Sequence, residues 1–253
     1  MKKIFLSVVI PAYNEVKNIN AGVLFQVYEY LKKQKYTWEV LLVDDGSTDN
    51  TVNLLTKFQK NRKNFKVLKE PHRGKAGTVI AGMLNTKGEI VLFTDMDQAT
   101  PLNQIENFFP EFEKGKDLVI GSRLGREGYS TIRKIMALGF VSLRKIILGL
   151  PFKDTQCGFK AFKNSKAREI FKRMKVFNDK ARSKGAAVTA GFDLEILYIA
   201  RKLNLKVSEV TVDWHEKGLR KEVSPIKDSY EGLRDLIKVR LNALTGQYKT
   251  RNI

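Results

Sequence analysis

The chain is poor in the residues that cross-link a protein or carry it through a bilayer. It has one cysteine, Cys157, in 253 residues. That excludes an internal disulfide framework and any zinc site built from several thiolates, and it suits a reducing compartment. No uncharged apolar run approaches the roughly 18 residues of a spanning helix; the candidate Ile135–Leu143 spans nine. The start, Met1–Ile10, is basic and then apolar, but it stops at Pro11 with no small-residue cleavage site, so it reads as a buried strand rather than a signal peptide. The expectation is a chain that does not cross a membrane but is able to lie on one. Internal repeats and low-complexity linkers are also missing, which leaves one compact domain as the simplest division. Acidic residues are scarce: 27 Asp and Glu against 46 Lys and Arg, a net charge of +19. Such a surplus admits nucleic acid, an anionic membrane surface or a phosphorylated substrate as partner.

What is present is a periodic apolar pattern, 43% of the chain, enough for a sizeable core. Leu6–Ile10, Val40–Val43, Lys66–Leu68, Ile90–Thr94 and Leu118–Ile120 read as strands. Val16–Lys33, Asn50–Gln59, Lys75–Leu84 and Asn103–Glu113 between them carry helical spacing. This alternation predicts an α/β fold with a mostly parallel sheet covered on both faces. Ligands of such sheets bind beyond the carboxyl ends of the strands. The second half is different in kind. Tyr129–Leu150, Phe192–Leu203 and Pro225–Leu244 read as helices and Lys206–Val212 as a strand, while Lys160–Lys184 holds ten basic residues against two acidic. Residues 1–125 hold the strand–helix alternation, and residues 126–253 form a basic, partly amphipathic portion of the same domain.

Polar clusters fall where strands end. Pro11-Ala12-Tyr13-Asn14-Glu15 follows the first run. Pro11 brings no N–H to a ladder and Glu15 suits a helix start, so each has an ordinary explanation beside a binding one. In the binding reading Tyr13 offers a flat ring to a base or sugar, and Glu15 an acceptor for base or ribose donors. Asp44-Asp45-Gly46-Ser47-Thr48-Asp49 follows the second run. Turn chemistry accounts for Ser47–Asp49 but leaves two adjacent carboxylates that a cation or ligand would relieve. Asp95-Met96-Asp97-Gln98 follows Ile90–Thr94, and carboxylates at i and i+2 are able to approach one hard divalent ion, Mg²⁺ or Mn²⁺. The following Thr100-Pro101 reads as an N-cap and first helical position. His72 and His215 read as structural, and Cys157 as a packing residue.

The segments VVIPAYNE, LLVDDGSTDNT, HRGKAGTVIAGM, FTDMDQATP, VIGSR and DTQCGFKAF, in this order, resemble the family 2 glycosyltransferases of GT-A fold, a Rossmann-like arrangement. Among them the chain is most similar to the polyprenyl-phosphate and dolichyl-phosphate glucosyl- and mannosyltransferases. The match is good over Leu6–Phe162 and looser through Gly191–Tyr198 and Val210–Trp214. Asp154–Lys160 leans towards the lipid-phosphate branch, and Ala99-Thr100 after the acidic motif towards its glucosyl members.

The resemblance implies that Pro11, Tyr13, Glu15, Asp44 and Asp45 hold the nucleoside of a UDP- or GDP-hexose. Lys75, Asp95, Met96 and Lys221 join the donor site. By the same resemblance residues 1–125 are the nucleotide-sugar-binding core and residues 126–253 the acceptor-binding and membrane-interface portion of one catalytic domain. Asp95 and Asp97 hold Mg²⁺ or Mn²⁺, with Gln98 as a third candidate, although mannosyl members carry their glutamine two places after the second aspartate. Arg123 and Arg133 match the arginines that grip the acceptor phosphate. Trp214, His215, Arg220 and Lys221 fall where related enzymes close a basic loop over the diphosphate. Asp97 and Arg123 are the catalytic candidates, with Asp154 added, or Asp193, should a hydroxyl acceptor need a base. The implied reaction is inverting transfer of glucose from UDP-glucose to a polyprenyl or dolichyl phosphate, by a cytoplasmic enzyme attached peripherally to anionic membrane through Tyr129–Leu150. Mannose from GDP-mannose, or a saccharide hydroxyl as acceptor, are the alternatives. A catalytically silent scaffold is opposed by the intact Asp95, Asp97 and Arg123. Nucleic acid is not expected, because no recognition module is present and the carboxylate-lined strand ends repel a phosphate backbone. No obligatory protein partner is inferred.

Overall fold

Alternation of apolar side chains along each strand gives the sheet two buried faces. In the computed structural model β1 (Leu6–Ala12) sends Leu6, Val8 and Ile10 to one face and Val9 to the other. In β2 (Trp38–Asp44), Val40 and Leu42 likewise oppose Leu41 and Val43. The structure describes residues 3–123, 131–175, 191–215 and 225–248, with only the helical backbone given for 131–138 and 225–231. The remaining strands are β3 (Phe65–Lys69), β4 (Ile90–Phe93), β5 (Leu118–Arg123), β6 (Lys160–Lys163) and β7 (Val207–Val212). Their order across the sheet is β3-β2-β1-β4-β6-β5-β7. All pairings are parallel except those of β6, which runs antiparallel to both β4 and β5.

On one face pack α4 (Gly74–Leu84), α6 (Thr131–Leu148), α7 (Asn164–Phe171), α8 (Gly191–Lys202) and α9 (Pro225–Leu244). On the other lie α2 (Val23–Lys32), α3 (Thr51–Lys60), a 3-10 turn at Leu102–Asn107 and α5 (Phe109–Glu113). The α/β class and the two-sided sheet agree with the sequence reading. The second half does not stand apart, since β6 and β7 complete the sheet begun by β1–β5.

Several local expectations are corrected. Val16–Lys33 is not one helix: α1 (Val16–Asn20) stops at Ala21, and Gly22 takes φ +81° before α2 begins. Asn103–Glu113 is likewise divided, because Pro110 has no N–H to carry a helix through from the 3-10 turn. Pro101 caps that turn from an extended conformation rather than opening it. Pro11 does not end β1, which pairs with β2 as far as Ala12. The Val9 carbonyl faces β4, accepting from Thr94 N–H. Pro11, two residues on, faces the same side beyond the last β4 pair, where a missing N–H breaks no ladder bond. The unforeseen element is β6, which lay in a segment read for its charge.

Strand order reverses beside β1: β2 and β3 lie to one side, β4 and everything later to the other. That places a topological switch point between the carboxyl ends of β1 and β4.

Candidate active site

The loops that open at this switch point carry the polar clusters, and they brace one another. After β1, Asn14 adopts φ +54°, its N–H donates to Ser47 Oγ (3.0 Å), and its Oδ1 accepts from Thr48 N–H (2.9 Å). Glu15 N–H donates to Thr51 Oγ1 at 2.8 Å. The Tyr13 ring stacks on His72, centroids 4.3 Å apart and 15° between planes.

The two adjacent aspartates after β2 diverge. Asp44 Oδ2 accepts from the N–H groups of Gly46 (3.0 Å) and Ser47 (3.1 Å), while its Oδ1 is buried with no hydrogen-bond partner. Asp45 turns to the β3–α4 loop, where its carboxylate meets His72 Nδ1 at 2.9 Å and accepts from Arg73 N–H at 2.8 Å. Part of the relief that the sequence argument sought from a ligand is therefore supplied by the protein. Gly46, at φ +68°, makes this approach possible, for a Cβ there would sit 2.9 Å from the His72 nitrogen. The sequence reading took His72 as structural. Its contacts to Tyr13 and Asp45 pin the loops after β1 and β2 to the loop after β3.

After β4, Asp95 is ion-paired with Lys75 from the first turn of α4. Asp97 Oδ1 accepts from Ala99 N–H at 3.0 Å, folding the acidic turn back on itself. Gln98, at φ +47°, turns inward; its Nε2 donates to the Asp95 carbonyl (2.8 Å) and Thr94 Oγ1 (3.3 Å), so it braces the turn. The Met96 side chain, at 2% exposure, packs in the core under the loop, which leaves its backbone as the part able to meet a donor. Across the switch point, burial pushes the Glu15 carboxyl above its ordinary value against the Asn18 hydrogen bond, and the charges of Asp97 and Asp95 raise it further. Three carboxylates thus share one field.

A cleft lined by Asp95, Asp97, Arg123, Gln156, Gly158 and Trp214 joins this acidic turn to the end of β5. Arg123 enters it with its guanidinium forked on Asp154, Nε to Oδ2 at 2.6 Å and Nη2 to Oδ1 at 3.0 Å. Asp154 is itself held by N–H groups of Arg123 (3.2 Å) and Gln156 (3.0 Å). Burial raises its pKa, but the Arg123 hydrogen bonds and charge outweigh that and hold the carboxyl at about 2. Such a group is a poor proton acceptor, and its geometry makes it the positioner of Arg123. Asp193, the other candidate base, is buried against Lys160, whose Nζ lies 2.6 Å from its Oδ1.

The depressed Asp154 pKa has a measurable consequence. The ionised form is favoured in the folded state, so the pair stabilises the protein above the ordinary carboxylate range and is lost as pH falls through about 2. Wild type is expected to exceed Asp154→Asn in unfolding free energy by about 2 kcal/mol near neutrality. Urea unfolding at a series of pH values should show the gap narrowing below about pH 4 and closing near pH 2. A gap independent of pH would rule out the ion pair as its source.

The residues fit a hard divalent cation of the kind that also binds phosphate oxygens. Asp95 and Asp97 supply two carboxylates, and an added Cβ at Gly158 would run into the Asp95 carboxylate, so the glycine preserves that space. Among the described residues no group of three or more His, Cys, Asp or Glu is arranged to hold a metal. Two carboxylates are what Mg²⁺ takes from a protein when it shares its shell with water and substrate phosphates. Of the acceptor candidates, Arg133 lies on α6 with its side chain outside the described residues, and Arg220 and Lys221 lie outside them altogether. His215 N–H donates to the Ala99 carbonyl at 2.8 Å, stitching the segment after β7 to the acidic turn.

Comparison with known proteins agrees with this arrangement. The family model described as glycosyl transferase family 2 matches residues 7–171. The chain is 32% identical over 268 residues to a dolichyl-phosphate β-glucosyltransferase of Dictyostelium discoideum, covering 98% of this chain and 78% of that one. It is 34% identical over 275 residues to the enzyme of the same name from Saccharomyces cerevisiae, with the same coverage of 98% and 78%. Among solved structures it is similar to glucosyl-3-phosphoglycerate synthase of Mycobacterium tuberculosis in complex with Mn²⁺, UDP-glucose and phosphoglyceric acid. The TM-score there is 0.63 at 18% identity, over 94% of this chain and 80% of that one, a likeness of fold.

Proposed function

The chain belongs to glycosyl transferase family 2, and we propose that it moves glucose from UDP-glucose onto a dolichyl or other polyprenyl phosphate at a membrane surface. The observation that carries the reading is the shared cleft: the acidic turn after β4 and the anchored Arg123 after β5 face one space. A donor diphosphate belongs to the first and an acceptor phosphate to the second. The names of the relatives favour glucose over mannose and a lipid phosphate over a saccharide hydroxyl.

In this mechanism Asp44 and Tyr13 receive the nucleoside, Asp44 through its unpartnered buried oxygen. Asp95 and Asp97 would hold Mg²⁺ or Mn²⁺, which when bound acts as a Lewis acid on the departing diphosphate. Mn²⁺ accompanies UDP-glucose in the mycobacterial synthase structure. Lys75 sits beside Asp95 and adds a positive charge where the diphosphate accumulates negative charge. Arg123, kept in one rotamer by Asp154, presents N–H groups to the acceptor phosphate and turns it towards the anomeric carbon from the face opposite the leaving group, inverting it. A phosphate monoester has its second pKa near about 6 and is already largely dianionic at neutral pH, so no dedicated base is needed. The engaged states of Asp154 and Asp193 accord with that. In this reading residues 1–125 form the donor-binding core, with Arg123 at its end reaching across to the acceptor, and residues 126–253 carry the rest of the acceptor and membrane portion, with Arg133 and Lys221 as further phosphate ligands. Among the described residues no helix is long and apolar enough to cross a membrane. Attachment in this reading is peripheral.

The test is incubation of purified protein with a polyprenyl phosphate and labelled UDP-glucose, GDP-mannose and other nucleotide sugars, with Mg²⁺, with Mn²⁺ and with EDTA. The expected result is metal-dependent label in the lipid phase from UDP-glucose alone. Donor hydrolysis without lipid labelling would move the acceptor to a hydroxyl, and labelling by GDP-mannose would overturn the assignment of the sugar.

A further inference from the structure

The sequence reading placed membrane contact on Tyr129–Leu150, a stretch whose side chains are described from residue 139 onward. In the described part of α6, Phe140, Leu143, Ile147 and Leu148 pack on the core, and Ile146 is the large apolar residue left exposed. The continuous apolar stripe is on α9. Its inner side is set by Leu236 and Val239, both fully buried, and by Asp235 beside the first turn of α8. On its outer side Leu233, Ile237, Leu241 and Leu244 are 38%, 45%, 54% and 67% exposed.

Their spacing of four, four and three residues puts these side chains within an arc of about 80° on a 3.6-residue helix. Arg240 projects along one border of that arc and Lys238 along the other, both exposed; Arg234, beside Lys238, is turned to Asp235, its Nη2 3.2 Å from Oδ1. From 232 to 248 the chain has a single acidic residue, Asp235, and it is buried. The outer face is therefore apolar along its centre, cationic along both edges and free of negative charge among the described side chains.

We infer that this face of α9 is the surface by which the protein docks on anionic bilayers, lying in the interface with its four aliphatic side chains in the acyl boundary. Lys238 and Arg240 have aliphatic stems long enough to place their charges at the level of lipid phosphates. The charge pattern favours this occupant over a second copy of the chain, because two such faces brought together set cation against cation. The inference rests on the reading of the acceptor as a membrane lipid, and it names the contact that brings the cleft to that lipid.

The experiment uses the full chain and sedimented vesicles of phosphatidylcholine alone or with 30% phosphatidylglycerol. Wild type is expected to bind the mixed vesicles, weakly bind the neutral ones, and detach as salt is raised. The double substitution Ile237→Glu/Leu241→Glu, at exposed positions, should reduce partition by more than tenfold with an unchanged thermal unfolding midpoint. Lys238→Gln and Arg240→Gln should each weaken binding roughly fivefold and flatten its salt dependence. Transfer to a detergent-dispersed acceptor should be unaffected by any of them. Undiminished vesicle binding by the double variant would overturn the inference, as would concentration-dependent self-association of wild type that the double variant abolishes. Vesicle binding needs no sugar donor, so the two readings fail separately. Lipid glucosylation without dependence on α9 defeats the surface alone, and α9-dependent binding without lipid glucosylation defeats the activity alone.

Discussion

Gly158→Ala is expected to lower the rate of sugar transfer by about two orders of magnitude while leaving the protein folded. The added methyl would run into the Asp95 carboxylate. Neither side has room to yield. Asp95 is short and ion-paired with Lys75. The 154–159 loop is pinned by the fork of Arg123 on Asp154, by Glu209 accepting from the Lys153 and Asp154 N–H groups (2.9 and 2.7 Å), and by Lys160 Nζ on the Cys157 carbonyl at 2.5 Å. The clash is relieved only by moving a carboxylate of the acidic turn or the loop that carries the Arg123 anchor. A displacement near 1 Å in a positioned site costs on the order of a hundredfold in rate. Single-turnover rates with labelled UDP-glucose, beside thermal unfolding of the same variant, measure both quantities. A wild-type rate in the folded variant would remove Asp95 from the reacting centre.

The largest effect on stability is expected from Lys160→Ala. Lys160 is fully buried, and its ammonium lies 2.6 Å from Asp193 Oδ1 and is held by the Cys157 carbonyl. Burial pushes the Asp193 carboxyl above its ordinary value, against the charges of Lys160 and Lys75. Removing the ammonium leaves Asp193 buried without its cation, a loss of about 3–5 kcal/mol. The double substitution Lys160→Met/Asp193→Leu should recover most of that, since an apolar pair of similar volume needs no compensation. It should not recover full activity, because it cannot remake the hydrogen bond that holds Cys157, and with it Gly158, against the acidic turn. Urea unfolding of the three proteins checks the first claim and their transfer rates the second. A single variant within 1 kcal/mol of wild type would show that the pair is hydrated and structurally idle.

Much of the site was legible because its elements are local. Asp95 and Asp97 stand two residues apart after a continuous apolar run, and no tertiary contact was needed to put them at a strand end. The same holds for Tyr13 and Glu15 after Leu6–Ile10, and for Arg123 after Leu118–Ile120. What was missed is long-range in origin. His72 acquires its place from Asp45, 27 residues away, and from the Tyr13 ring. Met96 was given to the donor by its neighbours in the motif, yet alternation around the turn sends it into the core. Asp44 and Asp45 looked like one charged pair, but consecutive side chains near a strand end point apart and find separate partners.

The sequence by itself determined the alternating α/β pattern, the carboxylates and arginine at the strand ends, and the family to which those motifs belong. These follow from side-chain period and chain order, which act over a few residues. Only the tertiary structure decided that β6 runs antiparallel between β4 and β5. An antiparallel strand begins at the edge where its parallel neighbours end. That reversal carries Asp154, Gln156 and Gly158 to the acidic turn and to Arg123. It likewise took the packing of α9 against α8 to show which of its leucines are buried and which remain outside. A four-residue strand in a basic segment has too few side chains to announce its direction, and direction is set by the hydrogen bonds of the neighbours it joins.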